Sequence, residues 1–167
     1  SYSDSDWMPD YGDGYDNYRS TTGNITNAAG NPIMWRSRRQ DRLAVSVNEA
    51  EYYAAAEAAK DCVYINRMVR SLSPDQRLAS HPVLKMDSLT AKTCAENPSD
   101  NEKQRHIDLR AHYLRDCVTR GDFAIEHIPG TDNPADQLTK SLPEATMSKF
   151  REFHHLEPRD GKVRGPS

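Results

Sequence analysis

A chain that carries the stretch 49–72 has little choice about its core. Ala50, Ala54, Ala58, Cys62, Ile65, Val69 and Leu72 recur there at spacings of three and four, which draws a continuous apolar stripe along one helix. A stripe of that length marks the main core helix. Immediately before it, residues 44–47 alternate as an extended segment does, so a strand is expected to give way to an alanine-rich helix with carboxylates at the junction. Glu49 stands at that junction and has two readings. It can belong to a cap, either Ser46 with Glu49 or Asn48 with Glu51, because both pairings satisfy free N–H groups at a helix start. It can also be an acid on a rigid mount, aimed back at whatever the preceding strands present.

Length and composition narrow the classes. The 167 residues allow one domain with a real core, expected over residues 1–156, while residues 157–167, with Pro, Gly and basic side chains, read as a disordered tail. Hydrophobic residues make up 36% and charged residues 28%, and no stretch approaches the roughly 20 apolar residues of a membrane span, so no membrane partner is expected. The first residues have neither the basic start nor the apolar run of a secretory signal, nor an initiator Met, so the chain reads as a piece of something longer. Cys62, Cys94 and Cys117 are odd in number and form no Cys-x-x-Cys pair, which points to buried thiols in a reducing, intracellular setting rather than a zinc site or disulfide framework. A net charge of -3 gives no global pull on a polyanion, so local clusters matter more. Arg36, Arg38, Arg39 and Arg42 form one; Lys103, Arg105, Arg110, Arg115 and Arg120 are spread along a second region.

In chain order, residues 1–6 read as a strand with Asp4 and Asp6 on one face, and 8–20 as a loop rich in Gly and acids. Strand, turn, strand follows: 21–26, a turn over 28–32, then Ile33, Met34 and Trp35, with Trp35 expected in the core. Ser73-Pro74-Asp75 ends the long helix. Residues 81–87 form a short strand ending on Asp87, followed by Ser88 and a short helix to Asn97. A second long helix is expected over 106–120, stopped by Gly121, and its arginines step round the cylinder as a solvated face. Residues 123–129 are another strand. Asp132 or Asn133 then caps a helix with Pro134 at its first position and Asp136 in its first turn, and 143–156 forms the terminal helix.

Acids therefore stand at four junctions: Asp4, Glu49, Asp87 and Asp136. Each has a plain explanation, as a surface residue, a capping partner, a helix cap and a dipole-favoured acid respectively. Those explanations do not account for an acid at every junction that faces one cleft, at the carboxyl ends of strands where open sheets place their ligands. Clustered hard oxygens are what two Mg²⁺ ions about 3.5–4 Å apart require to activate water in phosphodiester hydrolysis. An all-oxygen site admits Mn²⁺ as well.

Several blocks taken together, Tyr2-Ser3-Asp4-Ser5-Asp6-Trp7, Arg19-Ser20-Thr21-Thr22-Gly23, Trp35-Arg36-Ser37-Arg38-Arg39-Gln40, Asn48-Glu49-Ala50-Glu51-Tyr52, Arg105-His106-Ile107-Asp108-Leu109-Arg110 and Ala135-Asp136-Gln137-Leu138-Thr139-Lys140, resemble the ribonuclease H domain that ends copia-type retrotransposon polyproteins. The resemblance covers roughly residues 1–145. It implies an α/β RNase H-like fold, a five-stranded mixed sheet whose first three strands are antiparallel, with helices packed on it. By motif, Asp4 and Asp87 would hold or bridge the metals, Glu49 would hold one metal and orient the RNA near its 2′-hydroxyl, and Asp136 would complete the second site. The implied reaction is cleavage of the RNA strand of an RNA–DNA hybrid during reverse transcription. The implied partner is the reverse transcriptase domain of the same polyprotein, in a cytoplasmic particle or the nucleus. For substrate contact the expected residues are Arg36, Arg38, Arg39 and Arg42, which can pair bidentately with phosphates.

The chain departs from the wider superfamily in three places. The loop before Asp136 lacks the usual His, for which His127 is one stand-in and a strand residue the other reading. The residues after Asp87 are Ser88-Leu89-Thr90 where the family has an amide, and the loop over 8–18 is longer and more acidic than usual. His106 and Asp108 read as a helix start held by a local hydrogen bond. The missing loop His suggests slower turnover rather than inactivity, whereas the altered Asp87 block, the acidic loop and the net negative charge motivate an alternative, a catalytically weak or inactive RNase H-like binding or connection module of a polyprotein or a domesticated host protein.

Overall fold

β1 (Tyr2–Asp6), β2 (Thr21–Ala28) and β3 (Asn31–Arg39) form an antiparallel sheet, β3 alternating half-buried and exposed residues while the centres of β1 and β2 are buried on both faces. The computed structural model describes residues 1–7, 19–72, 82–97 and 109–156. The β2–β3 turn is tighter than the sequence suggests. Ala28 pairs with Asn31, leaving Ala29 (φ 49°) and Gly30 (φ 82°) as a two-residue loop. Positive φ at both positions matches the twist of a hairpin. Pro32 is tolerated within β3 because that strand is the sheet's edge, beside a register shift at Thr26/Asn27.

The long helix, α1 (Val47–Leu72), starts earlier than its stripe indicates, and the strand expected over 44–47 does not form. The first turn reaches back to Ser46, whose carbonyl accepts from Ala50 N at 3.1 Å and whose hydroxyl accepts from Glu49 N at 3.2 Å. Ser46 and Val47 are thereby drawn into the helix cap, while the Ala44 carbonyl accepts from Trp7 Nε1. Ala55, Ala56, Ala58, Ala59, Cys62 and Val63 bury α1 against the sheet. Alanine there leaves little between backbone and strands, so the helix lies close. The stripe fades at its far end, where Leu72 is exposed.

The rest alternates strand and helix: β4 (Val83–Met86), α2 (Leu89–Glu96), α3 (Leu109–Thr119) and β5 (Ala124–His127). Leu84, Met86, Leu114, Phe123 and Ile125 complete the core under α1. Gly121 (φ 70°) takes the left-handed position past the end of α3, with Asp122 N bonded to the Cys117 carbonyl. The helix expected to carry Asp136 is instead a pair of 3₁₀ turns, Gly130–Asp132 and Pro134–Leu138, followed by α4 (Glu144–Phe153). Asn133 caps the second turn through Ala135 N, and Pro134 occupies its first position. α4 buries Phe150, and its partly exposed Phe153 ring lies edge-on to Tyr2 at 5.9 Å.

The strand order is β3-β2-β1-β4-β5, with β1–β4 and β4–β5 parallel. This is an α/β fold, a five-stranded mixed sheet with four helices, as expected of an RNase H-like chain. Cys62 and Cys117 are buried free thiols and Cys94 is half-buried. Among the described residues, no helix is long and apolar enough to cross a membrane. Trp35, expected in the core, is 66% exposed. It pairs with Ile25 on the edge strand, where nothing in the described chain closes over it. The loop over 8–18, His106, Asp108 and the tail 157–167 lie outside the described residues.

Candidate metal centre

Parallel pairing brings two of the acids together. Tyr2 of β1 is in register with Lys85 of β4, and two further steps along each strand lead to Asp4 and Asp87. Asp87 is free for the cleft because Ser88, not Asp87, caps α2, its hydroxyl accepting from Ala91 N at 3.1 Å. The third member comes from α1. Ligand oxygens of Asp4, Glu51 and Asp87 all lie within 4.8 Å of one another, the one such group among the described residues.

Glu49 is not that third member. Its carboxylate accepts from Val45 N at 2.7 Å and from the Tyr53 hydroxyl at 2.8 Å, so it serves as part of the cap. The pairing is Ser46 with Glu49, one of the two that the sequence allows. Helical spacing explains the exchange. Residues two apart on a helix point about 200° apart. Glu51 points the same way as the stripe positions Ala58 and Cys62, both buried, whereas Glu49 points about 180° away from Ala58 and shares its face with Tyr53, Ala56, Glu57 and Lys60. That comparison, made along the helix rather than at its junction, is the signal that singles out Glu51.

The surroundings hold each acid in place. Ser5 donates to Glu51 Oε1 from its backbone N (3.2 Å) and its hydroxyl (2.9 Å). Thr139 donates to Asp4 Oδ2 at 2.8 Å; Asn133 Nδ2 donates to the Ser3 carbonyl at 2.8 Å and to Asp4 Oδ1 at 3.4 Å. The turn that carries Thr139 can lie against β2 because Gly23, the cross-strand partner of Asp4, has no side chain: a Cβ there would stand 2.5 Å from the Ala135 carbonyl oxygen. Gly130 likewise sits close to Asp87, a Cβ at that position meeting Oδ2 at 3.1 Å. Asp136, half-buried in the same turn, is paired with Lys140 Nζ at 2.7 Å. His127 bonds the Asp87 carbonyl through Nε2 at 3.0 Å, in keeping with a strand residue beside the centre.

Burial and mutual repulsion tell on these groups. Burial, reinforced by Asp87, pushes Asp4 up to about 7, against the opposing bond from Thr139. Burial, then Asp4 and Asp87, push Glu51 up to about 8, and Asp87 is raised chiefly by burial. Glu51 Oε2 is buried with no hydrogen-bond partner. An unpartnered carboxylate oxygen beside two further carboxylates fits a hard divalent cation such as Mg²⁺ or Mn²⁺, which supplies the missing positive charge.

The arginine cluster stands at the same end of the sheet. Asp6, Thr21 and Arg39 share one cross-strand row, and Ser5, Thr22 and Arg38 the next. Arg36 is bound to Asp61 (3.2 Å) and Glu57 (3.6 Å) of α1, so it braces the edge strand. Arg38 pairs with Asp41 at 2.9 Å, and Arg38, Arg39 and Arg42 are exposed. With Gln40, Tyr53 and Lys60, Arg36, Arg38 and Arg39 line a concavity of about 200 Å³.

Comparison with known proteins adds an independent line. No protein-family model matches the chain, and no solved structure matches it significantly. Over 152 residues the chain is 34% identical to the retrovirus-related Pol polyprotein from transposon TNT 1-94 of Nicotiana tabacum, covering 91% of this chain and 11% of the relative. It is 32% identical over 150 residues to the corresponding polyproteins from transposons RE1 and RE2 of Arabidopsis thaliana, covering 90% of this chain and 10% of each. The chain thus spans about a tenth of the length of these relatives. Over nine-tenths of its own length, it is similar to one segment of the retrovirus-related Pol polyproteins of plant transposons.

Proposed function

We propose that the chain is a metal-dependent endonuclease of the ribonuclease H class, cleaving the RNA strand of RNA–DNA hybrids beside the reverse transcriptase domain of a retrotransposon polyprotein. The observation that carries this reading is the convergence of Asp4, Glu51 and Asp87 at the carboxyl end of β1 and β4, with Glu51 Oε2 left without a partner. The fold and the polyprotein relatives agree with it. Asp4, Glu51 and Asp87 would hold one divalent ion and Asp136 would complete a second position next to Asp4. Two such ions supply a nucleophile at neutral pH and charge stabilisation for the leaving oxygen. The chain's residues supply the rest. Ser5 and Thr139 fix the carboxylates of Glu51 and Asp4, so little reorganisation is needed when the scissile phosphate arrives. Arg38, Arg39 and Arg42 offer exposed charge to the hybrid's backbone, with Arg36 behind them. Water adds to phosphorus, the P–O3′ bond breaks, and the RNA ends as a 3′-hydroxyl and a 5′-phosphate.

The test is cleavage of a labelled RNA–DNA hybrid in Mg²⁺, Mn²⁺ and EDTA, with duplex RNA and duplex DNA as controls. Cutting confined to the hybrid's RNA strand, and abolished by EDTA or Asp87→Asn, is the expected result. A folded chain that binds the hybrid and cuts nothing would leave only the binding-module reading.

A further inference from the structure

The centre contains a cation of its own. Lys140 lies one helical turn beyond Asp136, and its ammonium stands 2.7 Å from Asp136 Oδ1. The hydroxyl of Thr139, the residue before it, stands 2.8 Å from Asp4 Oδ2 and 2.9 Å from the Asp136 carbonyl and shares its one hydrogen between them, so Lys140 hangs from the turn that grips Asp4. Its charge reaches further than its ion pair, drawing Asp4 and Asp87 down against the upward push of burial. The centre therefore has unequal halves. Glu51 Oε2, on the Asp4–Glu51–Asp87 side, has no partner, while the Asp136 side already has a cation at hydrogen-bonding distance.

We propose that Lys140 is a tethered cation occupying the Asp136 side of the centre, so that the substrate-free chain takes up one divalent ion and admits a second only when Lys140 leaves Asp136. The inference rests on the metal-centre reading above. A divalent ion placed beside Asp136 meets the ammonium at close range, and like charges this near repel by far more than thermal energy in a partly buried site. The lysine's side chain is half exposed and flexible, which lets it swing away. An incoming phosphodiester gives it an alternative anion, so substrate and second ion arrive together.

Calorimetric titration of the substrate-free chain with Mn²⁺ and with Mg²⁺ reads this directly. Wild type and Lys140→Arg should bind one ion. Lys140→Met, which keeps the stem and removes the charge, should bind two, or bind the second at least about tenfold more tightly. Asp136→Asn, which retains the lysine, should still bind one ion with affinity close to wild type. The proposal is overturned if Lys140→Met matches wild type in stoichiometry and affinity, or if Asp136→Asn weakens the single ion by about tenfold or more. Those results leave the metal centre standing. If wild type and Lys140→Met both bind no ion, the metal-centre reading fails, and this inference with it.

Discussion

Two carboxylates stand two residues apart at the start of α1, and substituting them separates support from chemistry. Glu51→Gln removes a charge from the centre and should lower the rate of hybrid cleavage by at least about 100-fold with the fold intact. Glu49→Gln weakens the bonds to Val45 N and Tyr53 and should cost about 0.5–2 kcal/mol of stability while cleavage stays near wild type, measured as melting temperature alongside rate. The same acids set a pH dependence. Asp4 and Glu51 are raised in the fold from ordinary values of 3.8 and 4.5 to about 7 and about 8, so the folded chain holds protons that the unfolded chain releases. Their contribution to metal-free stability is therefore full below about pH 4 and is lost as pH rises through 7 to 8. A divalent ion must displace those protons, so Mg²⁺ should bind more tightly at about pH 8 than at about pH 6. The Mg²⁺-induced rise in melting temperature should widen over the same interval. A rise that is independent of pH would show that the ion binds elsewhere.

Among the elements, the decisive meeting is between β2 and the turn Pro134–Leu138. That turn delivers Thr139 to Asp4 and Asp136 to the edge of the centre, and it can approach only because position 23 lacks a side chain. Gly23→Ala places a methyl group 2.5 Å from a backbone oxygen, 2.9 Å from Thr139 Cγ2 and 3.0 Å from Leu138 Cβ, so the turn itself must move. The expected cost is about 1–3 kcal/mol, with weakened divalent-ion binding as the grip of Thr139 on Asp4 loosens. Denaturant unfolding and metal titration of the same variant check both parts. A variant as stable as wild type would show that the turn packs less tightly against β2 than these distances require.

Across the molecule as a whole, the positive charge is unevenly engaged. Arg36 is tied to the buried Asp61 on α1, and Arg36→Met should cost about 1–3 kcal/mol by removing that carboxylate's ion-pair partner. Arg38, paired with the exposed Asp41, and Arg39 are exposed at the same end of the sheet as the centre. Replacing both with Glu should raise KM for the hybrid and flatten its salt dependence by about one unit of slope for each phosphate no longer neutralised. The kcat at saturating hybrid should be little changed. Unchanged KM and slope would place the hybrid on another surface.

The order of the five strands and four α-helices, the core helix, Ser46 as one possible cap, and the acids near four junctions are legible in the amino-acid order, whereas the strand expected over 44–47 and the helix expected to carry Asp136 do not form. The legible features follow from local rules, in which period, caps and turn residues act within a few positions of one another. Which acids meet is settled by packing, although the helical period already sets Glu51 apart from Glu49. The register of Tyr2 with Lys85 sets Asp4 beside Asp87, and the face of α1 turned to the sheet selects Glu51 over Glu49. Packing also leaves Trp35 exposed on an edge strand and seats Asp136 on a 3₁₀ turn against Gly23. Strand pairing and helix docking join residues up to 135 positions apart, as in the Thr139–Asp4 bond, and no local pattern carries that information.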